Sequence, residues 1–415
     1  MGTAHARSIV RVSSIGRAFS LLTLTSFLVI PNSLPILSWA LLFLTAILSL
    51  KSGISVKLRP LFQMYGAAVA ITSIYLAIGA FRGAPAEAAL QVIAVYIISP
   101  LLWILTGSAI FKWHTTEDII GIFSWLALFA TFTVAIFYAL FLTFGADAVQ
   151  FFREGANVNV KDGYAGSTMH VYGPLMFLVA GFFAVPSIVT RRPLRWLLLG
   201  ALAITVVTSG RTALFLSLGM GLALNLLFNF RPGELSATTR RIAAGVGVLI
   251  VLMFSMYLLQ RFTTVNLSRL LEAHLNELGS GGGSARTEQA SALLRGALEY
   301  GGLGAGHGIG VDYNRSFKFP WRYELVWHAT LLRVGLLGSL IYSIPFLVYI
   351  FGFLKAWKNK EVSEFSIFLF SGFMAALLVS NTNPYLESFA MQWMFILPII
   401  YFFLIGGRSS QTVVI

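Results

Sequence analysis

The fold class this chain predicts is all-α: a polytopic membrane protein of about twelve transmembrane helices. Composition is the first reason. Hydrophobic residues make up 57% of 415 and charged residues only 11%, with a mean hydropathy of +0.81. A soluble domain carries about 25% charged residues. The second reason is length: apolar windows recur at about 20 residues, enough to cross about 30 Å of hydrocarbon. A transmembrane β-barrel would show short alternating segments instead.

Hydropathy places the spans near residues 19–31, 35–50, 60–81, 88–111, 118–144, 171–190, 195–209, 212–230, 241–260, 330–354, 364–381 and 389–406. Arg7, Arg11 and Arg17 precede the first and no Ala-x-Ala site follows it. It therefore reads as a signal anchor with its N-terminus inside. The division expected is a nine-helix membrane region over 1–260, an outer loop over 261–321, and a three-helix membrane region over 322–415. No internal repeat is visible, so the inverted-repeat pattern of many transporters is unsupported.

Short inner connections should be rich in Lys and Arg. With both termini in the cytoplasm, those connections collect Arg7, Arg11, Arg17, Lys51, Lys57, Arg59, Lys112, Arg191, Arg192, Arg195, Arg231, Arg240, Arg241, Lys355, Lys358, Lys360 and Arg408, more than half of the 29 basic residues. The short outer turns are almost bare: 31–35 is uncharged and 381–388 holds only Glu387. The net charge of +13 then reads as topology signal against anionic lipid, and no nucleic acid is needed to explain it.

Two outer segments break this pattern. One is 145–170. The other is 261–321, which carries Arg261, Arg269, Arg286, Arg295, Arg315 and Lys318, with Arg322 just beyond it. Long translocated loops escape the charge rule, so this charge is permitted but unexplained. Within the loop, Leu267, Leu270, Leu271, Leu275 and Leu278 share one face of a helix over 266–278, suited to lie on the bilayer or cap the bundle. The Gly/Ser run 279–284 breaks it. A second helix is expected over 285–300, with Ala290, Leu293, Leu294, Ala297 and Leu298 on its apolar side. Then come six glycines within 301–310. Such a run allows close backbone approach to a ligand, and it equally suits a lid or a plain hinge.

Several chemistries find no residues. Asp occurs only at 118, 147, 162 and 312, and no His pair has helical ligand spacing, so no dedicated metal site and no cofactor are expected. No strand precedes the glycine run, which excludes a dinucleotide fingerprint. What remains is arginine with a few bases. Arg211 lies between two apolar stretches, where a guanidinium costs a few kcal/mol unless it sits at the boundary or in a wet cavity. Its fixed fork of donors suits phosphate. Arg286 heads the second loop helix, where free backbone N–H groups add positive potential. Glu324 and His328 are spaced one helical turn apart and are expected to share a face, each able to take a proton from a hydroxyl. A salt bridge from Glu324 to either arginine, or a hydrogen bond from His328 to a carbonyl, are the structural alternatives.

Several short motifs, in order, resemble the O-antigen ligase/polymerase superfamily of bacterial envelope glycan transferases. They are Ser209-Gly210-Arg211-Thr212 with its following span; Ala285-Arg286; the glycine segment 302–310; and Glu324-Leu325-Val326-Trp327-His328 leading into Leu331-Leu332-Arg333-Val334-Gly335-Leu336-Leu337-Gly338. Gly166–Gly173 resembles the family's outer turn before the sixth span. The likeness covers about residues 165–345. Ligases of the family carry His-Asn where this chain has His328-Ala329, and the Glu324 element is more like the polymerases.

The resemblance implies a GT-C-like helical bundle in the bacterial inner membrane, with its site facing the periplasm. It also implies an undecaprenyl-pyrophosphate-linked glycan donor and an acceptor that is either another lipid-linked repeat or the lipid A core. Metal-free, inverting transfer would use Arg211 and Arg286 to hold the pyrophosphate, with His328 as base and Glu324 assisting or substituting. Polymerase and ligase remain the two enzymatic expectations. A non-enzymatic permease would instead place its charges near the bilayer midplane.

Overall fold

The structure, a computed structural model, describes residues 2–31, 33–145, 156–161, 164–169, 171–209, 211–229, 283–316, 319–381 and 383–405. The expected span at 241–260 and the expected loop helix at 266–278 lie outside the described residues.

The described elements are helical apart from one hairpin. In chain order the helices are α1 (Gly2–Leu28), α2 (Pro35–Ser52), α3 (Arg59–Phe81), α4 (Ala86–Trp113) and α5 (Thr116–Phe144). After the hairpin come α6 (Tyr172–Ala184), α7 (Arg192–Thr208) and α8 (Thr212–Asn229). The last four are α9 (Gly283–Glu299), α10 (Val326–Lys358), α11 (Glu364–Val379) and α12 (Trp393–Ile405). Prolines open α2, α3 and α7 at the first turn, where a missing N–H costs nothing. Inside α4, Ile93–Ile98 winds as a π-turn, a local widening that often accompanies functional positions.

Among the described residues, five helices are long and apolar enough to cross a membrane: Pro35–Ser52, Val56–Phe81, Ala86–Trp113, Thr116–Phe137 and Val326–Lys358. Five shorter apolar helices join them: Ser14–Leu28, Tyr172–Ala184, Thr212–Phe228, Glu364–Val379 and Trp393–Ile405. Large apolar side chains such as Ile36, Phe81, Phe129 and Phe132 point outward. Water would penalise such a surface, whereas lipid does not. The protein is a helical membrane protein.

The hairpin corrects one sequence expectation. Gly166–Met169, read as part of a turn, belongs to strand β2 (Tyr164–Met169), which pairs antiparallel with β1 (Ala156–Lys161). The register runs from Ala156 opposite Met169 to Lys161 opposite Tyr164. In sequence the strands are separated by Asp162-Gly163, a dipeptide favoured in two-residue hairpin turns.

Helix α6 is the hub, buried along its whole length. It has no polar face, as a helix surrounded by others requires. It packs on α8 and α11, and close contact depends on small residues. A methyl group at Gly221 of α8 would lie 2.7 Å from the Ala180 carbonyl of α6. Phe177 of α6 packs edge-on against Trp393 of α12, with ring centroids 5.0 Å apart. A second group forms where α10 crosses α3 and α9 lies on α10. Its small separate core is Leu293, Ala305, Tyr323, Leu325, Ala329 and Leu332.

Candidate functional site

The glycine segment folds back between α3 and α10. Helix α10 is broken at Gly335, whose φ of 65° and ψ of −170° are not helical. The break frees carbonyls that α10 would otherwise use itself. Ala305 N–H donates to the Leu332 carbonyl at 2.6 Å, Gly306 N–H to that of Arg333 at 2.9 Å, and Leu336 N–H to that of Gly302 at 2.9 Å. On the other side, His307 N–H donates to the Tyr75 carbonyl at 2.9 Å. Arg82, just past the end of α3, donates to the carbonyls of Gly304 and Ala305 at 3.1 and 2.9 Å and lies over the Tyr300 ring. Residues 304–308 are buried. The close backbone approach expected of these glycines is to the protein's own helices, and the lid and hinge alternatives give way to a pinned insert. Gly304 shows the reason: its φ is +94°, and a methyl there would stand 2.7 Å from both the Gly335 nitrogen and the Tyr75 ring.

Beneath this insert lies a buried polar network. Arg333 of α10 pairs with Glu387, the two side chains only 5% and 7% exposed. Arg333 also donates to the Trp321 carbonyl at 2.7 Å. Tyr96, in the π-turn of α4, donates to Glu387 at 2.8 Å. The ring of His307 lies beside Tyr96, with Nε2 3.3 Å from the Tyr342 hydroxyl. That hydroxyl is 2.7 Å from the Thr72 hydroxyl. Nδ1 of His307 is buried without a hydrogen-bond partner among the described residues. Burial above all, helped by the Arg333 charge, pushes His307 down to about 3, so the ring is neutral.

Of the four residues singled out from sequence, the structure brings two together. Glu324 receives Arg286, 3.4 Å from Nε to Oε2, and also Arg315 through its other oxygen. Glu324 does not share a helical face with His328, because α10 begins only at Val326, after a non-helical Leu325. Gln289 of α9 explains that start. Its buried side-chain carbonyl accepts the N–H groups of Glu324 at 3.1 Å and Leu325 at 3.0 Å, acting as a cap supplied from another helix. His328, in the first turn of α10, is half-buried and has no hydrogen bond or ion pair among the described residues.

Arg211 stands elsewhere. It is half-buried at the gap between α7 and α8, where its N–H donates to the Ser209 hydroxyl at 3.1 Å. Its guanidinium meets no carboxylate among the described residues. Its charge does reach Tyr385: burial raises that phenol to about 12, and Arg211 opposes the rise. Tyr385 opens the short turn Tyr385–Glu387 between α11 and α12, whose other end, Glu387, pairs with Arg333. Among the described residues no hydrogen bond or ion pair joins Arg211 to Arg286, Glu324 or His328.

No protein-family model matches the chain, and no curated protein matches it. Residues and geometry therefore carry the functional reading.

Sequence reasoning missed the network of Arg333, Glu387, Tyr96 and His307, and separately the Gln289 cap and Tyr385. Glu387 carried a usable signal, being the single charge in an otherwise bare turn. Arg333 carried a stronger one, an arginine inside an apolar helix.

Proposed function

We propose that this protein transfers a glycan from an undecaprenyl-pyrophosphate carrier to an acceptor hydroxyl at the outer face of a bacterial plasma membrane, polymerising envelope polysaccharide repeats. The observation that carries the reading is Arg211: a half-buried guanidinium between two apolar helices, with no carboxylate beside it among the described residues. Such a group suits an anion, which supports the reading. Arg286 supplies the second charge, its guanidinium oriented by Glu324.

The chemistry follows from the leaving group. Pyrophosphate departs once its developing charge is stabilised, and oriented guanidinium groups do this without metal. His328 takes the proton from the acceptor hydroxyl as that oxygen bonds to the anomeric carbon. The bond from that carbon to the pyrophosphate oxygen breaks, the configuration inverts, and the diphosphate leaves with the bond's electron pair. Both oxygens of Glu324 face guanidinium groups. Its part is therefore to orient Arg286, and the role of base falls to His328.

Arg211→Ala and Arg286→Ala should remain in the membrane at normal abundance and slow glycan elongation by about 10²–10³. Glycan ladders on gels read the outcome, and full-length ladders from both variants would refute the assignment. Polymer left on the polyprenyl carrier in a deletion strain would point to ligation onto lipid A, whereas single repeats point to polymerisation.

A further inference from the structure

A cleft of about 300 Å³ opens on the outward side of α9, lined by Thr287, Glu288, Ser291, Arg295, Asp312 and Tyr313 around Ala292. The helical residues recur at one-turn spacing and form one stripe of α9. The opposite stripe, Gln289, Leu293 and Ala297, is buried against the small core beside α10. The far wall is held in place: the buried Tyr323 hydroxyl accepts the Val311 N–H at 2.8 Å, one residue before Asp312. Glu288, Arg295 and Asp312 line one cleft, yet no ion pair joins them among the described residues.

The signs of these charges choose the ligand class. Two carboxylates and one guanidinium leave the cleft with a net charge of −1 on a chain whose total is +13. That lining disfavours phosphate and the diphosphate carrier. The guanidinium in the same cleft disfavours a metal cation. A neutral polyhydroxyl ligand fits both facts: carboxylates accept from sugar hydroxyls, arginine donates to them, and Tyr313 offers an amphipathic ring for the apolar face of a sugar. The volume is at the small end of ligand pockets, about 300–1,000 Å³, which suits a short saccharide.

We infer that this cleft is a saccharide subsite that holds the neutral sugars of the acceptor glycan, apart from the arginines that hold the diphosphate. The inference rests on the glycan-transfer reading above. The test uses the full-length protein in lipid nanodiscs and, as probe, the carrier-free oligosaccharide released by mild acid from the host's own lipid-linked glycan. Saturation-transfer NMR should show binding to the wild type. Tyr313→Ala and the near-isosteric Asp312→Asn should each weaken it about five- to tenfold, as loss of a stacking ring or a charge-assisted hydrogen bond would. Arg211→Ala should bind the probe as wild type does. No wild-type binding, or equal binding by the cleft variants, overturns the subsite and leaves the transfer reading standing on its own test. Normal elongation by Arg211→Ala with cleft-dependent binding intact overturns the acceptor role.

Discussion

Arg333 and Arg211 are two guanidinium groups in one apolar bundle, and their surroundings differ completely. Arg333 is fully enclosed, paired with Glu387 and hydrogen-bonded to the Trp321 carbonyl. Its charge is answered within the protein, and its work is to fasten α10, the 319–325 segment and the turn before α12 to one another. Arg211 is half-buried, and among the described residues no carboxylate answers it. The contrast separates an arginine whose charge is answered by a carboxylate from one for which the proposed transfer supplies a diphosphate partner. Exposure alone does not make that distinction; the partner does.

Breaking the enclosed pair should have the largest effect. Glu387→Ala leaves Arg333 buried and uncompensated, at a cost of about 3–5 kcal/mol. Arg333→Met with Glu387→Leu removes both charges and should recover most of that loss. Denaturant unfolding in detergent measures both. A single variant as stable as wild type would place Arg333 among the available charges and erase the comparison.

The glycine insert sharpens the same point, because it is pinned by the residues around Arg333. Gly304→Ala puts a methyl against the Gly335 nitrogen and the Tyr75 ring at a positive φ, where a non-glycine residue costs about 1–2 kcal/mol before any clash. Lower thermal stability and faster proteolysis in 301–310 are expected. An unchanged melting temperature would mean the insert is not seated between α3 and α10.

His307 gives a pH signature of the enclosed region. Its folded value, about 3, lies below the ordinary histidine value of about 6.5. The unfolded chain therefore binds more protons between those limits. The neutral ring's contribution is fully present above pH about 6.5 and is lost as pH falls toward 3. Comparing unfolding of wild type and His307→Gln over that window isolates it. The wild type should lose stability more steeply on acidification, and parallel profiles would contradict the burial of the ring.

Hydropathy alone made much of the helical frame legible. The expected spans over 35–50, 60–81 and 364–381 match α2, α3 and α11 to within a few residues, and the loop helix expected over 285–300 is α9 at Gly283–Glu299. These features are local, set by apolar length and helical periodicity. The polar network was not legible, because its members come from α3, α4, α10, the glycine insert and the 383–393 turn, with Tyr96 and Glu387 separated by 291 positions. The helical face expected to be shared by Glu324 and His328 was lost for a related reason. Counting four residues to His328 assumed a continuous helix, and the Gln289 cap from α9 ends that continuity at Leu325. The glycine run leaves ligand approach, lid and hinge all open in sequence, which does not reveal that Gly335 breaks α10 to receive it.

The central claim is that Arg211 binds a lipid-borne diphosphate. Titrating undecaprenyl pyrophosphate into the purified protein in nanodiscs, wild type against Arg211→Ala, tests it most directly. The account predicts that the variant loses at least about tenfold in affinity, about 1.4 kcal/mol, with its melting temperature unchanged. Equal affinity in a variant that folds normally would contradict it.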